Sequence, residues 1–190
     1  MNIRHSPPGR LLYVMGASGV GKDSLLRELR RRRPDVLVAH RYITRSSGGG
    51  ENCVELSAAE FVWRRAQGLF CLHWDAHGLD YGVGIEIETW LAAGHTVVLN
   101  GSRRALQKAR ERFGGTLVPL LIVAEAEVLR QRLIARGRET PAEIEARLAR
   151  RGEEAALSDI ARIDNGGELA EGVVALEAWL DASHLPEHSA

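Results

Sequence analysis

Short apolar runs alternate with amphipathic stretches along almost the whole chain. Residues 11–15 are continuously apolar and end at a glycine, the pattern of a strand buried on both faces. A Gly-rich turn follows. Residues 23–33 then place Leu25, Leu26 and Leu29 on one helical face, and Pro34 stops the helix. The same reading gives further strands at 36–39, 69–72, 96–99, 117–123 and 160–163. Helices are expected at 58–67 behind a Ser57–Glu60 capping box, at 85–93 up to Gly94, and from Ser102 to Phe113 before Gly114 and Gly115. Three more are expected at 127–136 up to Gly137, from a Thr140–Pro141–Glu143 start to about 157, and at 169–180. Residues 46–50 read as irregular, and the tail from 183 as loose. Strands that alternate with helices predict an α/β fold with a parallel sheet of about five strands covered on both faces, a three-layer α/β/α core.

Composition narrows the function classes. Lys plus Arg and Asp plus Glu balance at 25 each, so no global basic field exists and nucleic acid is not an expected partner. Any phosphate site must be local. Cys53 and Cys71 have neither metal-ligand nor redox spacing and read as ordinary, partly buried thiols in a reducing compartment. The first ten residues, with two prolines and no apolar core, do not read as a signal peptide, and no apolar run is long enough to span a bilayer. A cytoplasmic protein with no membrane partner is expected. Oligomeric state is not set by the sequence, a homodimer being one option.

The chemistry concentrates between the first strand and the first helix, in Gly16-Ala17-Ser18-Gly19-Val20-Gly21-Lys22-Asp23-Ser24. Glycines at this spacing let backbone N–H groups turn inward around phosphate oxygens at the mouth of a helix, whose N-terminus favours negative charge. Lys22 then reaches the β- and γ-phosphates of a nucleotide. The alternative is a plain glycine turn with a lysine reaching solvent. Lysine is rare here, Lys22 and Lys108 being the only two against 23 arginines, so its placement in the motif is informative. One departure stands out: Asp23 follows the lysine where a magnesium-holding Ser or Thr is usual, with Ser24 one place later. A carboxylate is a good hard-oxygen ligand for Mg2+. It is equally a favourable acid in a first helical turn. Residues 96–99 end in Asn100 rather than Asp. If that strand neighbours the motif's strand, Asp23 supplies the charge that Asn100 lacks.

A second feature is the arginine content of residues 130–151. Arg130, Arg132, Arg136, Arg138, Arg147, Arg150 and Arg151 lie on two helices joined around 137–141. Such helices suit a lid that closes over polyphosphate and excludes water. Ordinary pairing with Glu127, Glu139, Glu143, Glu145 and Glu154 accounts for most of them. Arg136 and Arg147 are the leading candidates for contact with the transferring group, with Arg132 behind them.

The phosphate motif, Arg41-Tyr42-Ile43-Thr44-Arg45, His77-Gly78-Leu79-Asp80-Tyr81-Gly82, and the pattern running from Arg132-Leu133 through Arg136-Gly137 to Ile144 and Arg147-Leu148 together resemble the guanylate kinase-like family. The resemblance implies a P-loop kinase core as one domain over 1–190, an acceptor-binding region at about 36–84 and a lid at about 126–157. Gly21-Lys22-Asp23-Ser24, His40 to Arg45, Tyr81-Gly82-Val83-Gly84 and Asn100-Gly101-Ser102-Arg103 are similar to one branch, the ribose 1,5-bisphosphate phosphokinases of phosphonate degradation. That branch implies transfer from ATP, with Mg2+, to a small phosphorylated sugar, yielding 5-phosphoribosyl 1-diphosphate. Departures from a guanylate kinase agree with it: His73 replaces the carboxylate that accepts from guanine, and Gly48 replaces a second acceptor-phosphate arginine. A base-reading site without those partners would leave polar groups unpaired. Arg41, Arg45 and Tyr81 remain as acceptor-phosphate ligands, Glu51 as acceptor of a sugar hydroxyl, and Asn165 as an adenine contact. His73, Asp75 and His77 also admit a metal or acid–base reading, which transfer to an already ionised phosphate does not need. Other readings are a nucleoside monophosphate kinase and a guanylate kinase-like binding module without catalysis. The second would be expected to lack Lys22 or the lid arginines.

Overall fold

The computed structural model describes residues 9–45, 52–76, 78–137, 139–149 and 157–182. Gly48, Glu51, His77, Arg138, Arg150, Arg151 and Glu154, the far end of the helix expected to reach 157, and the tail from 183 lie outside the described residues.

In chain order, the strands are β1 (Leu11–Gly16), β2 (Val36–Val38), β3 (Arg41–Ile43), β4 (Cys53–Glu55), β5 (Phe70–Ala76), β6 (Leu79–Gly84), β7 (Thr96–Asn100), β8 (Leu117–Val123) and β9 (Ala161–Asp164). The helices are α1 (Lys22–Arg32), α2 (Ala58–Ala66), α3 (Glu86–Ala92), α4 (Leu106–Phe113), α5 (Ala126–Arg136), α6 (Pro141–Ala149) and α7 (Leu169–Ala182). Five strands form a parallel sheet in the order β2-β7-β1-β8-β9, the expected α/β arrangement. The chain divides into two compact units. One holds the chain to Met15 and from Arg33 to Pro119; the other holds Gly16–Arg32 and the chain from Leu120 onward.

In the first unit β1 pairs with β7, placing Val14 beside Asn100, and β7 pairs with β2. The strand ending in Asn100 is therefore a neighbour of the strand that leads into the glycine turn. Leu11 through Met15 are all buried, as a continuous apolar run requires. Buried Tyr13 closes this region: its hydroxyl donates to Ser102 O at 2.9 Å and accepts from Ser102 N at 3.0 Å. Ser102 itself makes no side-chain cap. Arg103–Ala105 form a 3-10 turn, and α4 starts only at Leu106, a correction to the helix expected from Ser102. Ser57 does cap α2, accepting from Glu60 N at 3.1 Å.

A second sheet, order β4-β3-β6-β5, was not legible in the sequence. β3 and β4 are three residues each, too short for periodicity to register, and β6 carries two glycines. β5 runs to Ala76 rather than stopping at 72, because Leu72 and Trp74 alternate with exposed His73 and Asp75.

In the second unit β8 and β9 pair in parallel, Leu120 opposite Ala161. α1 buries Leu25, Leu26 and Leu29, each worth about 1.5–3 kcal/mol of hydrophobic stabilisation. Its arginine-rich end is paired: Arg31 and Arg32 lie 2.7 and 3.2 Å from Glu28, and Arg32 also lies 3.5 Å from Glu177 of α7. Thr140 and Glu143 bond reciprocally at the start of α6, Thr140 N to Glu143 Oε2 at 2.7 Å and Glu143 N to Thr140 Oγ1 at 3.3 Å. Among the described residues, no helix is long and apolar enough to cross a membrane, and no group of three or more His, Cys, Asp or Glu stands ready to hold a metal ion.

Candidate active site

The glycine turn is shaped by two residues that only glycine fits. Gly19 has φ +84° and Gly21 φ +95°, in the left-handed region that side chains disfavour. Space is closed as well: a Cβ on Gly19 would lie 2.9 Å from Leu133 Cδ2, and one on Gly21 would lie 2.6 Å from Asn165 Nδ2. The turn therefore exposes backbone rather than side chains at the entrance to α1, as a phosphate cradle requires. Lys22 folds back over it, its Nζ donating to Gly16 O at 2.8 Å and Ala17 O at 3.0 Å. The ammonium is thereby held over the loop, in reach of an anion seated there. Asp23 and Ser24 follow in the first turn of α1, both half-buried. Hard oxygen donors at this place fit the chemistry that Mg2+ prefers.

Three arginines were singled out, and the structure gives them different surroundings. Arg132 donates to Asn165 O at 2.7 Å, Val20 O at 3.4 Å and Gly167 O at 3.2 Å. It thus braces the glycine turn against the segment after β9. Arg147 of α6 donates to Ser18 Oγ at 2.6 Å, in the middle of the turn, and lies 3.3 Å from Glu139 Oε1. Arg136 ends α5, exposed, just before Gly137 turns the chain with φ +64°. Arg130, by contrast, pairs with Glu145 and with Glu127, as expected of a solvated surface cation.

Asn165 is a buried polar residue of the second unit, 3% exposed. Its Nδ2 donates to Val20 O at 2.7 Å and its backbone N to Val123 O at 2.8 Å. It fastens the crown of the turn to the end of β8. Neither this strut nor the Ser18–Arg147 bond was foreseeable, since both join residues more than a hundred positions apart.

In the first unit, Arg41, Trp74 and Tyr81 share one face of the second sheet. Trp74 and Tyr81 are directly opposite across β5 and β6, their rings stacked 5.5 Å apart at 3°. The Arg41 guanidinium lies 6.0 Å from the Tyr81 ring centroid. Arg41 and Tyr81, both expected from the sequence to hold the acceptor phosphate and forty residues apart, are thus brought together. Arg45 follows Thr44, which is pinned at both ends: Thr44 N donates to Asp80 O at 3.2 Å and Thr44 Oγ1 accepts from Asp80 N at 2.9 Å. Trp74 and His73 are adjacent in β5, so His73 points to the opposite face from the Arg41–Tyr81 pair. There partial burial, with Lys108 and Arg65 nearby, holds its imidazole pKa below the usual histidine value.

No family model matches the chain. Individual relatives do. It is 49% identical over 176 residues to ribose 1,5-bisphosphate phosphokinase PhnN of Dickeya zeae, spanning 91% of this chain and 94% of that protein. It is 51% identical over 176 residues to the protein of the same name from Burkholderia mallei, spanning 90% and 95%. Among solved structures, guanylate kinase from Anaplasma phagocytophilum superposes with a TM-score of 0.76 at 18% identity, over 96% of this chain and 89% of that one, a likeness of fold alone. Identity near one residue in two over nine-tenths of both partners exceeds what a shared fold explains, and on that ground the chain belongs to the ribose 1,5-bisphosphate phosphokinase family.

Proposed function

We propose that the protein transfers the γ-phosphoryl group of ATP to the 1-phosphate of ribose 1,5-bisphosphate, giving 5-phosphoribosyl 1-diphosphate and ADP. The observation that carries a kinase reading is the glycine turn, with Lys22 drawn over it and an arginine reaching Ser18 at 2.6 Å. The choice of acceptor rests on the family.

Backbone N–H groups of Gly19 to Lys22 hold the ATP phosphates at the N-terminus of α1. Lys22 leaves its carbonyl partners for the β- and γ-phosphates. Arg136 and Arg147 neutralise the charge spread over the transferring group, and Arg132 keeps the turn in shape. Mg2+, held through Asp23 or Ser24, would supply charge neutralisation between the phosphates. Asn165, buried with its amide on Val20 O, keeps the turn in shape together with Arg132 rather than meeting the adenine. Arg41, Arg45 and Tyr81 grip the acceptor's phosphate, and Glu51 accepts from a ribose hydroxyl. An acceptor phosphate oxygen forms the new P–O bond as the bond from the γ-phosphorus to the β,γ-bridging oxygen breaks, and ADP takes that electron pair. The attacking oxygen is already anionic, so no general base is required. The reaction belongs to phosphonate degradation in the cytoplasm.

Acceptor competition tests this reading. With ATP and Mg2+ fixed, ADP release should be fastest with ribose 1,5-bisphosphate and at least about 100-fold slower with GMP or AMP. A preference for GMP would replace the proposal with guanylate-type activity.

A further inference from the structure

Glu139 occupies the link between α5 and α6, after Gly137 and before the Thr140–Glu143 cap. A carboxylate in a short link ordinarily faces water. This one is 7% exposed. Its Oε1 lies 3.3 Å from Arg147 Nη2, and its Oε2 is buried without a hydrogen-bond partner among the described residues. Burying a carboxylate is unfavourable, and leaving one oxygen unpartnered makes it more so. On its other edge Arg147 donates from Nη1 to Ser18 Oγ at 2.6 Å. A continuous chain of polar contacts therefore runs from the inter-helix link, through the guanidinium, to the middle of the glycine turn.

We infer that Glu139 is a positioning residue for phosphoryl transfer, which aims the guanidinium of Arg147 at the phosphate-binding turn. This deepens the proposed function and rests on its assignment of Arg147 to the transferring group. A guanidinium is a rigid planar fork, so anchoring one edge sets the plane of the whole group and the direction of its remaining N–H bonds. An unanchored arginine samples many rotamers and must be ordered during each turnover. Ordering it beforehand lowers the cost of reaching the transition state without tightening ground-state ATP binding, so the effect falls on kcat rather than KM.

Glu139→Gln keeps the side chain's shape and removes its charge. It should lower kcat roughly 10-fold or more while the KM for ATP moves less than about 3-fold. In an Arg147→Ala background the same substitution should change kcat less than about 2-fold, because Glu139 acts only through that guanidinium. Equal losses in both backgrounds, or a kcat within about 2-fold of the unsubstituted enzyme, would overturn the inference. Glu139→Asp, which keeps the charge, should recover part of the loss; an Asp variant as slow as the Gln variant would also count against it. A second readout needs no substrate. The side-chain NMR signals of Arg147, assigned through Arg147→Ala, should be those of one ordered guanidinium in the unsubstituted protein and be averaged in Glu139→Gln. An averaged Arg147 in the unsubstituted protein would refute the anchoring by itself. Absence of 5-phosphoribosyl 1-diphosphate with an ordered Arg147 would refute the acceptor assignment and leave the anchoring intact.

Discussion

Gly21→Ala isolates the feature on which the nucleotide site depends. Two costs can be worked out. Alanine at φ +95° sits in the left-handed region, at about 1–2 kcal/mol. Its Cβ would also lie 2.6 Å from Asn165 Nδ2, closer than non-bonded atoms approach, so the buried amide must move. Moving it breaks the 2.7 Å bond to Val20 O and leaves a buried donor and acceptor unsatisfied, at about 1–3 kcal/mol. The total is about 2–5 kcal/mol, a large share of the stability a domain of this size has. At about 3 °C per kcal/mol, Tm should drop by roughly 6–15 °C. Gly68→Ala is the internal control: its φ is +70°, but nothing lies within 4 Å of the added Cβ, so only the conformational cost applies. Its Tm should fall by roughly 3–6 °C, with ATP affinity unchanged, whereas Gly21→Ala should weaken ATP binding at least about 10-fold. Calorimetry and nucleotide titration on both variants read this directly. Removing the amide with Asn165→Ala should make Gly21→Ala less costly by about 1–3 kcal/mol in the double variant. If Gly21→Ala were no worse than Gly68→Ala, or if its cost were the same with and without Asn165, the turn would not be held in the way described.

Other consequences can be checked separately. Lys22→Ala should reduce kcat at least about 1,000-fold while the folded far-ultraviolet spectrum is retained, and measurable turnover within about 10-fold would exclude Lys22 from the chemistry. Arg45→Ala should raise the KM for the acceptor more than the KM for ATP, and the reverse order would move Arg45 out of the acceptor site. Asp23→Ser should shift the Mg2+ dependence of turnover, and an unchanged magnesium titration would leave Ser24 as the ligand and Asp23 as a helix acid. Burial raises the Tyr13 phenol well above its ordinary pKa near 10, the bond to Ser102 offsetting only part of that, so its neutral form is the one the fold keeps. Its contribution to stability is whole below pH 10 and is lost as pH rises through the folded value. Urea midpoints of the unsubstituted protein should therefore fall above pH 10 more steeply than those of Tyr13→Phe, and parallel profiles would contradict it. Burial likewise pushes the Cys71 thiol up to about 12, so at pH 8 alkylation should be much slower than for a free cysteine in denaturant.

Long continuous apolar runs and strong caps made the parallel sheet and most helices readable: residues 11–15, 96–99 and 117–123 can hardly be anything but buried strands. Of the second sheet only the start of β5 was readable: β3 and β4 are three residues each, β6 carries two glycines, and Arg41–Ile43 acquires strand geometry by pairing with Cys53–Glu55 on one side and with Tyr81 and Gly82, about forty residues away, on the other. The helix expected from Ser102 begins late because Ser102 O accepts from Ala105 N at 3.1 Å, which closes a 3-10 turn before α4, and the Ser102 side chain caps nothing. The phosphate turn was legible because its chemistry is written in consecutive residues. Its supports were not. Arg132, Glu139 and Asn165 lie far away in sequence, and nothing local distinguishes Glu139 from the other glutamates around it.

Under the proposed function, a new phosphoanhydride is made at the 1-position of the acceptor. Phosphorus NMR of a mixture of protein, ATP, Mg2+ and ribose 1,5-bisphosphate tests it most directly. The 1-phosphate signal should disappear and two coupled diphosphate resonances should grow, in step with ADP formation and with the 5-phosphate signal unchanged. ADP and inorganic phosphate alone, or phosphate appearing on any other oxygen of the sugar, would contradict it.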